Sequence, residues 1–153
     1  MTTADNHQGH ITQSRDDRAR SLGSIHQVER LAGAAGINRP SEWRDDLLIA
    51  LEDLASSLHD QFRRSASDDG LLAQLIIEAP HIAPSVNQLR GAQSNLLAEL
   101  DDLRQDLSDL ARTVDVEDVR RRVSELTSRI RELRAWEVDL VYEALDLDLG
   151  TGD

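Results

Sequence analysis

Five residues in this chain have the types and the placement to do chemistry together. His26 and Glu29 lie one turn apart in a stretch where Leu22, Ile25, Val28, Leu31, Ala32 and Ala35 recur at helical spacing. His59 follows Leu58 and aligns with Ala55, Phe62 and Arg63 on a second such stretch. Gln93 and Glu137 stand where apolar residues belong in two further seams. One inward polar residue per helix is how helical bundles build a metal or cofactor site. Imidazole and carboxylate are common metal ligands, whereas an amide is a poor one. An isolated anion inside an apolar seam is very unfavourable, so Glu137 must be ion-paired, hydrogen-bonded, protonated or metal-bound. The same residues also suit a structural polar layer. Gln93 then fixes register, as polar residues do in coiled-coil cores. In that case Glu137 pairs with an arginine of another helix, His26 sits at a helix boundary and His59 bonds a backbone carbonyl. On the residues alone, a four-ligand metal set (His26, Glu29, His59, Glu137) and a structural layer including Gln93 both remain open.

Other chemistries have little to build on. The chain has no Gly-rich phosphate loop, no nucleophile elbow and no HExxH motif. The carboxylate pairs Asp16-Asp17, Asp45-Asp46, Asp68-Asp69 and Asp101-Asp102 are adjacent in sequence. Neighbours on a helix point about 100° apart, so such pairs cannot share a proton as a catalytic dyad does. His7 and His10 lack a third ligand nearby, and His81 lies between Pro80 and Ile82 as a loop or helix-start residue.

The elements that must position these groups read as helices. A first is expected from Asp17 to Ala35, with Gly36 as its C-terminal cap. After a loop at 37–41, Ser41 reads as the N-cap of a second, with Glu42, Asp45 and Asp46 near its positive end. That helix should reach Ala66 and break at Ser67-Asp-Asp-Gly. Leu71 to Glu78 reads as a short apolar helix stopped by Pro80. Ile82, Val86, Leu89, Leu96, Leu100, Leu103, Leu107, Leu110 and Val114 then form one face of a third long helix, expected to end near Arg112. Asp115, with Asp118 at the N3 position, opens a fourth whose seam holds Val116, Val119, Val123, Leu126, Ile130, Leu133, Leu140 and Ala144 and should continue to Leu145. The simplest packing is an all-α, up-and-down four-helix bundle over residues 18–147, with a short extra helix between the second and third. Residues 1–17 read as a disordered tail and 148–153 as a flexible acidic one. A dimer paired through the 82–114 seam, acting as a coiled-coil adaptor, is the competing packing.

Composition agrees with helices and narrows the partners. Aromatic residues make up 3% of the 153, so Leu, Ile, Val and Ala must fill the core. Net charge is −12 and every basic residue is Arg, a balance that repels phosphate backbones. Arg120, Arg121, Arg122, Arg129, Arg131 and Arg134 read as a solvated face paired with Glu117, Glu125 and Glu132. No apolar run is long enough for a membrane span and no secretory signal is recognisable, so the expected location is the cytoplasm. Cysteine is absent, which removes thiolate chemistry.

Several segments carry a family resemblance. Leu54-Ala-Ser-Ser-Leu-His59-Asp-Gln-Phe62, Asp69-Gly-Leu-Leu, Ile77-Glu78-Ala79-Pro80 and Asp139-Leu-Val-Tyr-Glu-Ala144 resemble bacterial hemerythrin-domain proteins over residues 22–149. So does the spacing of Leu89, Gln93 and Leu96-Leu97. The resemblance implies a bundle holding a non-haem di-iron centre for oxygen binding or sensing. His26 and His59 match the histidines of the first two helices. The glutamate expected four residues after His59 is Arg63. Gln93 and Leu97 stand for a histidine pair, and Arg134 replaces the histidine five before Asp139. The reading is therefore a hemerythrin-like bundle with a degenerate metal site, without cofactor and not an enzyme. It acts as a structural, interaction or regulatory module toward an unidentified protein partner, as monomer or homodimer. An iron-binding oxygen or redox sensor with a reduced ligand set is the alternative.

Overall fold

A computed structural model describes the backbone of residues 3–34 and 40–150, and the side chains of residues 15–34 and 41–145. The described residues contain helices and no strand. They form α1 (Thr3–Gly33), α2 (Pro40–Ala66), α3 (Leu71–Glu78), a 3-10 turn (Pro80–Ile82), α4 (Ala83–Ser108) and α5 (Val116–Gly150). None of these helices is long and apolar enough to cross a membrane.

The four long helices pack as a ring, α1 on α2, α2 on α4, α4 on α5 and α5 back on α1. Contacts between helix ends fix the directions. Trp43, early in α2, donates its indole N–H to the Leu31 carbonyl late in α1 at 2.7 Å. Arg44 reaches the carbonyls at the end of α4. Arg122 meets Asp106 at 2.8 Å, and Arg120 meets the end of α1 at the Ala32 carbonyl, 2.7 Å away. Each neighbouring pair is thus antiparallel, giving the up-and-down bundle expected from the short connections. The short α3 packs across one end of the ring.

The interior comes in two apolar parts. One holds Ile25, Val28, Leu47, Leu51, Leu54, Leu58, Leu96, Leu100, Leu103, Leu107, Val123, Leu126 and Ile130. The other, at the α3 end, holds Leu72, Leu75, Ile82, Val86, Leu89, Leu140 and Ala144. Leu133 packs against both. Leu100 and Leu107, which would carry a coiled-coil dimer, are buried inside this single chain.

Several helix ends differ from the sequence expectation. α1 begins at Thr3, so residues 3–17, expected to be disordered, are helical. Once the packed part of the helix exists, each added turn costs little, and this proline-free stretch has nothing to stop it. α2 begins at Pro40, leaving Ser41 inside the helix rather than capping it. Proline suits the first turn because its missing N–H has no partner there anyway. α4 ends at Ser108, not Arg112, with Asp109 extended. Leu110, counted in the apolar seam, therefore lies outside the helix and is 84% exposed. Its stop comes from Arg44, whose guanidinium donates to the carbonyls of Leu107, Asp109 and Arg112. Asp115 does open α5, accepting from the N–H groups of Glu117 at 3.0 Å and Asp118 at 3.4 Å. α5 continues to Gly150, five residues beyond its expected end. The expected cap at Gly36 and the last three residues of the acidic tail lie outside the described residues.

Candidate functional site

Between the two apolar parts runs a polar layer to which every long helix contributes. α1 supplies Asp17, Arg18 and Ser21, α2 supplies Ser57, Gln61 and Arg64, α4 supplies Gln93, and α5 supplies Arg134 and Glu137. These positions continue the inward registers of their helices, since Asp17 and Ser21 precede Ile25 by whole turns and Gln93 sits between Leu89 and Leu96. Asp17, Ser21, Ser57, Gln61, Gln93 and Glu137 are all buried.

The layer largely satisfies itself. Ser21 Oγ donates to Gln61 Oε1 at 2.6 Å and lies 2.9 Å from the Asp17 carbonyl and 3.3 Å from Ser57 Oγ. Asp17 pairs with Arg64 at 3.1 Å, joining α1 to α2. Arg134 donates to the Arg18 carbonyl at 2.6 Å, joining α5 to α1. Glu137 is less well served. It is only 5% exposed, and its ion pair with Arg18 is long, at 3.9 Å. Burial pushes the Glu137 carboxyl above its usual range, and nearby Asp17 adds to that; Arg18 and Arg134 pull the other way. Burial likewise lowers Arg134, with Arg18 adding repulsion and Glu137 opposing.

Glu137 and Gln93 border a small cavity with Leu58, Gln61, Phe62, Ile130, Leu133 and Arg134. Its room for the centre of a water is about 10 Å³, enough for roughly one molecule. Arg134 Nε is buried without a protein partner. The site can therefore hold one bridging water among an amide pair, a carboxyl and a guanidinium. Its charge balance is three guanidiniums against two carboxylates, which disfavours a cation there.

Of the five residues singled out from sequence, the structure brings Gln93 and Glu137 together and leaves three elsewhere. His26 and His59 are exposed. Each follows a core residue, Ile25 or Leu58, and one step along a helix turns the side chain by about 100°. Glu29 is half-buried and paired with Arg131 at 2.5 Å across α1 and α5. Asp139 and His81 are exposed. Among the described residues, no group of three or more His, Asp or Glu side chains is placed to hold a metal ion. The arginine-rich face of α5 pairs as its spacing suggests, Arg120 with Glu117 at 2.8 Å and Arg121 with Glu125 at 3.0 Å. Arg122 and Arg129 instead reach α4, at Asp106 and Glu99.

Sequence reading missed Asp17, Arg18, Ser21, Ser57, Gln61 and Arg64. A usable signal was present, because Asp17, Ser21 and Ile25 keep a four-residue step and so do Ser57, Gln61 and Ser65. The fold and the site define an all-α bundle with a buried, ion-paired layer. Compared with protein-family models, curated proteins and solved structures, the chain matches none.

Proposed function

We propose that this chain is a non-catalytic bundle module whose central polar layer serves structure, and that the module works by interaction or regulation. The observation that carries this reading is the mutual pairing in the layer: Asp17 with Arg64, Ser21 with Gln61, Arg134 with the Arg18 carbonyl. Those bonds tie α1 to both of its neighbours at one level, so they set the register of the helices. Catalysis gains no support from the same groups. Ser21 Oγ meets an amide, a hydroxyl and a carbonyl, none of which is a base. The resemblance to hemerythrin-domain proteins supports a bundle descended from a metal-binding ancestor, with arginines now filling the level of the lost ligands. A location in the cytoplasm belongs to the same proposal.

The test replaces the inner pair by apolar groups, Gln93→Leu with Glu137→Leu. A structural layer predicts a variant that keeps its helical circular dichroism and a cooperative melt, with stability unchanged or raised by about 1–4 kcal/mol, as found for apolar replacements of buried charge. Stoichiometric metal held by the parent chain and lost in this variant would contradict a merely structural role.

A further inference from the structure

Beside the polar layer, at the α3 end, α1, α3 and α5 enclose an open groove of about 290 Å³. Such a volume lies close to the lower end of the range for small-molecule sites. Leu71 of α3 and Val138, Val141, Tyr142 and Leu145 of α5 make its apolar wall, while Arg15 and Arg18 of α1 make its rim. Two wall residues are large and open to solvent, Tyr142 at 63% and Leu145 at 49% exposure. Arg15 is exposed and has no ion-pair partner among the described residues. Among the described residues, the ion pair of Arg18 is the long 3.9 Å contact with Glu137. The two acidic residues of this part of α5, Asp139 and Glu143, follow Val138 and Tyr142 by one step and so turn about 100° away from them.

In a chain of net charge −12, an apolar groove with a cationic rim is a local reversal of sign. We infer that this groove is a binding site for a small organic anion with an apolar body, a carboxylate-headed amphiphile of the fatty-acid type. The apolar chain covers Val138, Val141, Leu145 and Leu71, and the carboxylate takes charge-assisted hydrogen bonds from Arg15 and Arg18. The groove is separate from the cavity inside the layer but shares Arg18 with the layer, so a bound carboxylate competes with Glu137 for that guanidinium.

Calorimetric titration of the full chain with decanoate below its micelle concentration tests the site. Saturable one-to-one binding is expected, with decanol binding more weakly because it lacks the charge. Arg15→Gln should weaken decanoate by about threefold, the effect of an exposed charge pair. Leu145→Asp should weaken it further, and both substitutions lie at exposed positions, so an unchanged melting temperature checks the fold. Absence of saturable heat would overturn the inference. So would equal binding of decanol and decanoate, unchanged in Arg15→Gln. Association with anionic vesicles without uptake of free decanoate would assign the rim to a lipid surface instead. A concentration-dependent dimer abolished by Leu145→Asp would assign the wall to a second copy. Either result would overturn it.

Discussion

Glu137, a buried carboxyl beside two guanidiniums, makes the stability of this fold depend on pH. Its carboxyl is pushed up, chiefly by burial. A group whose folded value is raised binds its proton more tightly in the native state than in the unfolded one. The stability it lends is fully present below the unfolded carboxylate range and is lost as pH rises through the raised value. Asp106 acts with the opposite sign, since its hydrogen bond from Arg122 holds it low, and its contribution is lost on acidification. Glu137→Gln removes the first term while keeping size and polarity. The variant should be at least as stable as the parent at pH 8, with the difference shrinking towards pH 4.5, as read from urea midpoints. A loss of about 3 kcal/mol at pH 8, the cost of breaking a well-made buried pair, would show that the Arg18 contact is far stronger than its 3.9 Å length suggests. Gln93 and Glu137 were legible in the sequence because each interrupts an otherwise unbroken seam. His26 and His59 misled because a histidine next to a core residue looks inward in one dimension and is not so on a helix. Ser21, Ser57 and Gln61 were overlooked because small polar residues are ordinary on helix surfaces, and their four-residue steps stand out only once they are seen to extend the inward register.

Helix ends are held largely by arginines reaching across from neighbours. Arg44, in the first turns of α2, gathers carbonyls of α4 and the residues after it. Arg120, in the first turns of α5, does the same for the end of α1, at Ala32 and Ala34. Carbonyls at a helix end lack internal partners and carry partial negative charge, so a guanidinium satisfies both needs. Arg44→Ala should cost about 2 kcal/mol in a denaturant melt, the worth of charge-assisted hydrogen bonds in a partly buried setting. A change within error would mean that water caps α4 equally well. Two glycines test the geometry of the elements in opposite directions. A Cβ on Gly70 would lie 2.2 Å from the Arg64 carbonyl oxygen and 2.5 Å from that of Ser65. Gly70→Ala should therefore destabilise, by about 1–3 kcal/mol, as overpacking does. Gly91, inside α4, has open space around the same atom. Gly91→Ala should stabilise by about 0.5–1 kcal/mol through helix propensity. Equal signs for the two in thermal melts would contradict the placement of one of them. Helix existence was readable from the apolar period, and the Asp115 cap from its residue type. The ends of α1 and α4 were not, because α1 runs on past its apolar pattern while α4 stops before its pattern does, at a contact made 63 residues away in sequence.

At the scale of the whole chain, a ring of antiparallel helices carries two apolar cores with a charged layer between them. The bundle was foreseeable from four amphipathic stretches and short connections, whereas the division of its core was not. That division needs polar residues from four separate segments to meet at one level, and each segment alone shows only one to three unremarkable polar residues. The leucines of α4 that suggested a paired coiled coil point instead into this interior. The layer is filled by arginines, serines, glutamines and the two carboxylates Asp17 and Glu137, and in the proposed reading it serves structure and holds no metal. Iron content of tag-free protein, measured by elemental analysis before and after anaerobic iron loading, tests that account most directly. The predicted result is iron far below one per chain in both preparations, unchanged in Glu137→Ala. Stoichiometric iron that is lost in Glu137→Ala and His59→Ala would contradict it and make the layer a metal centre.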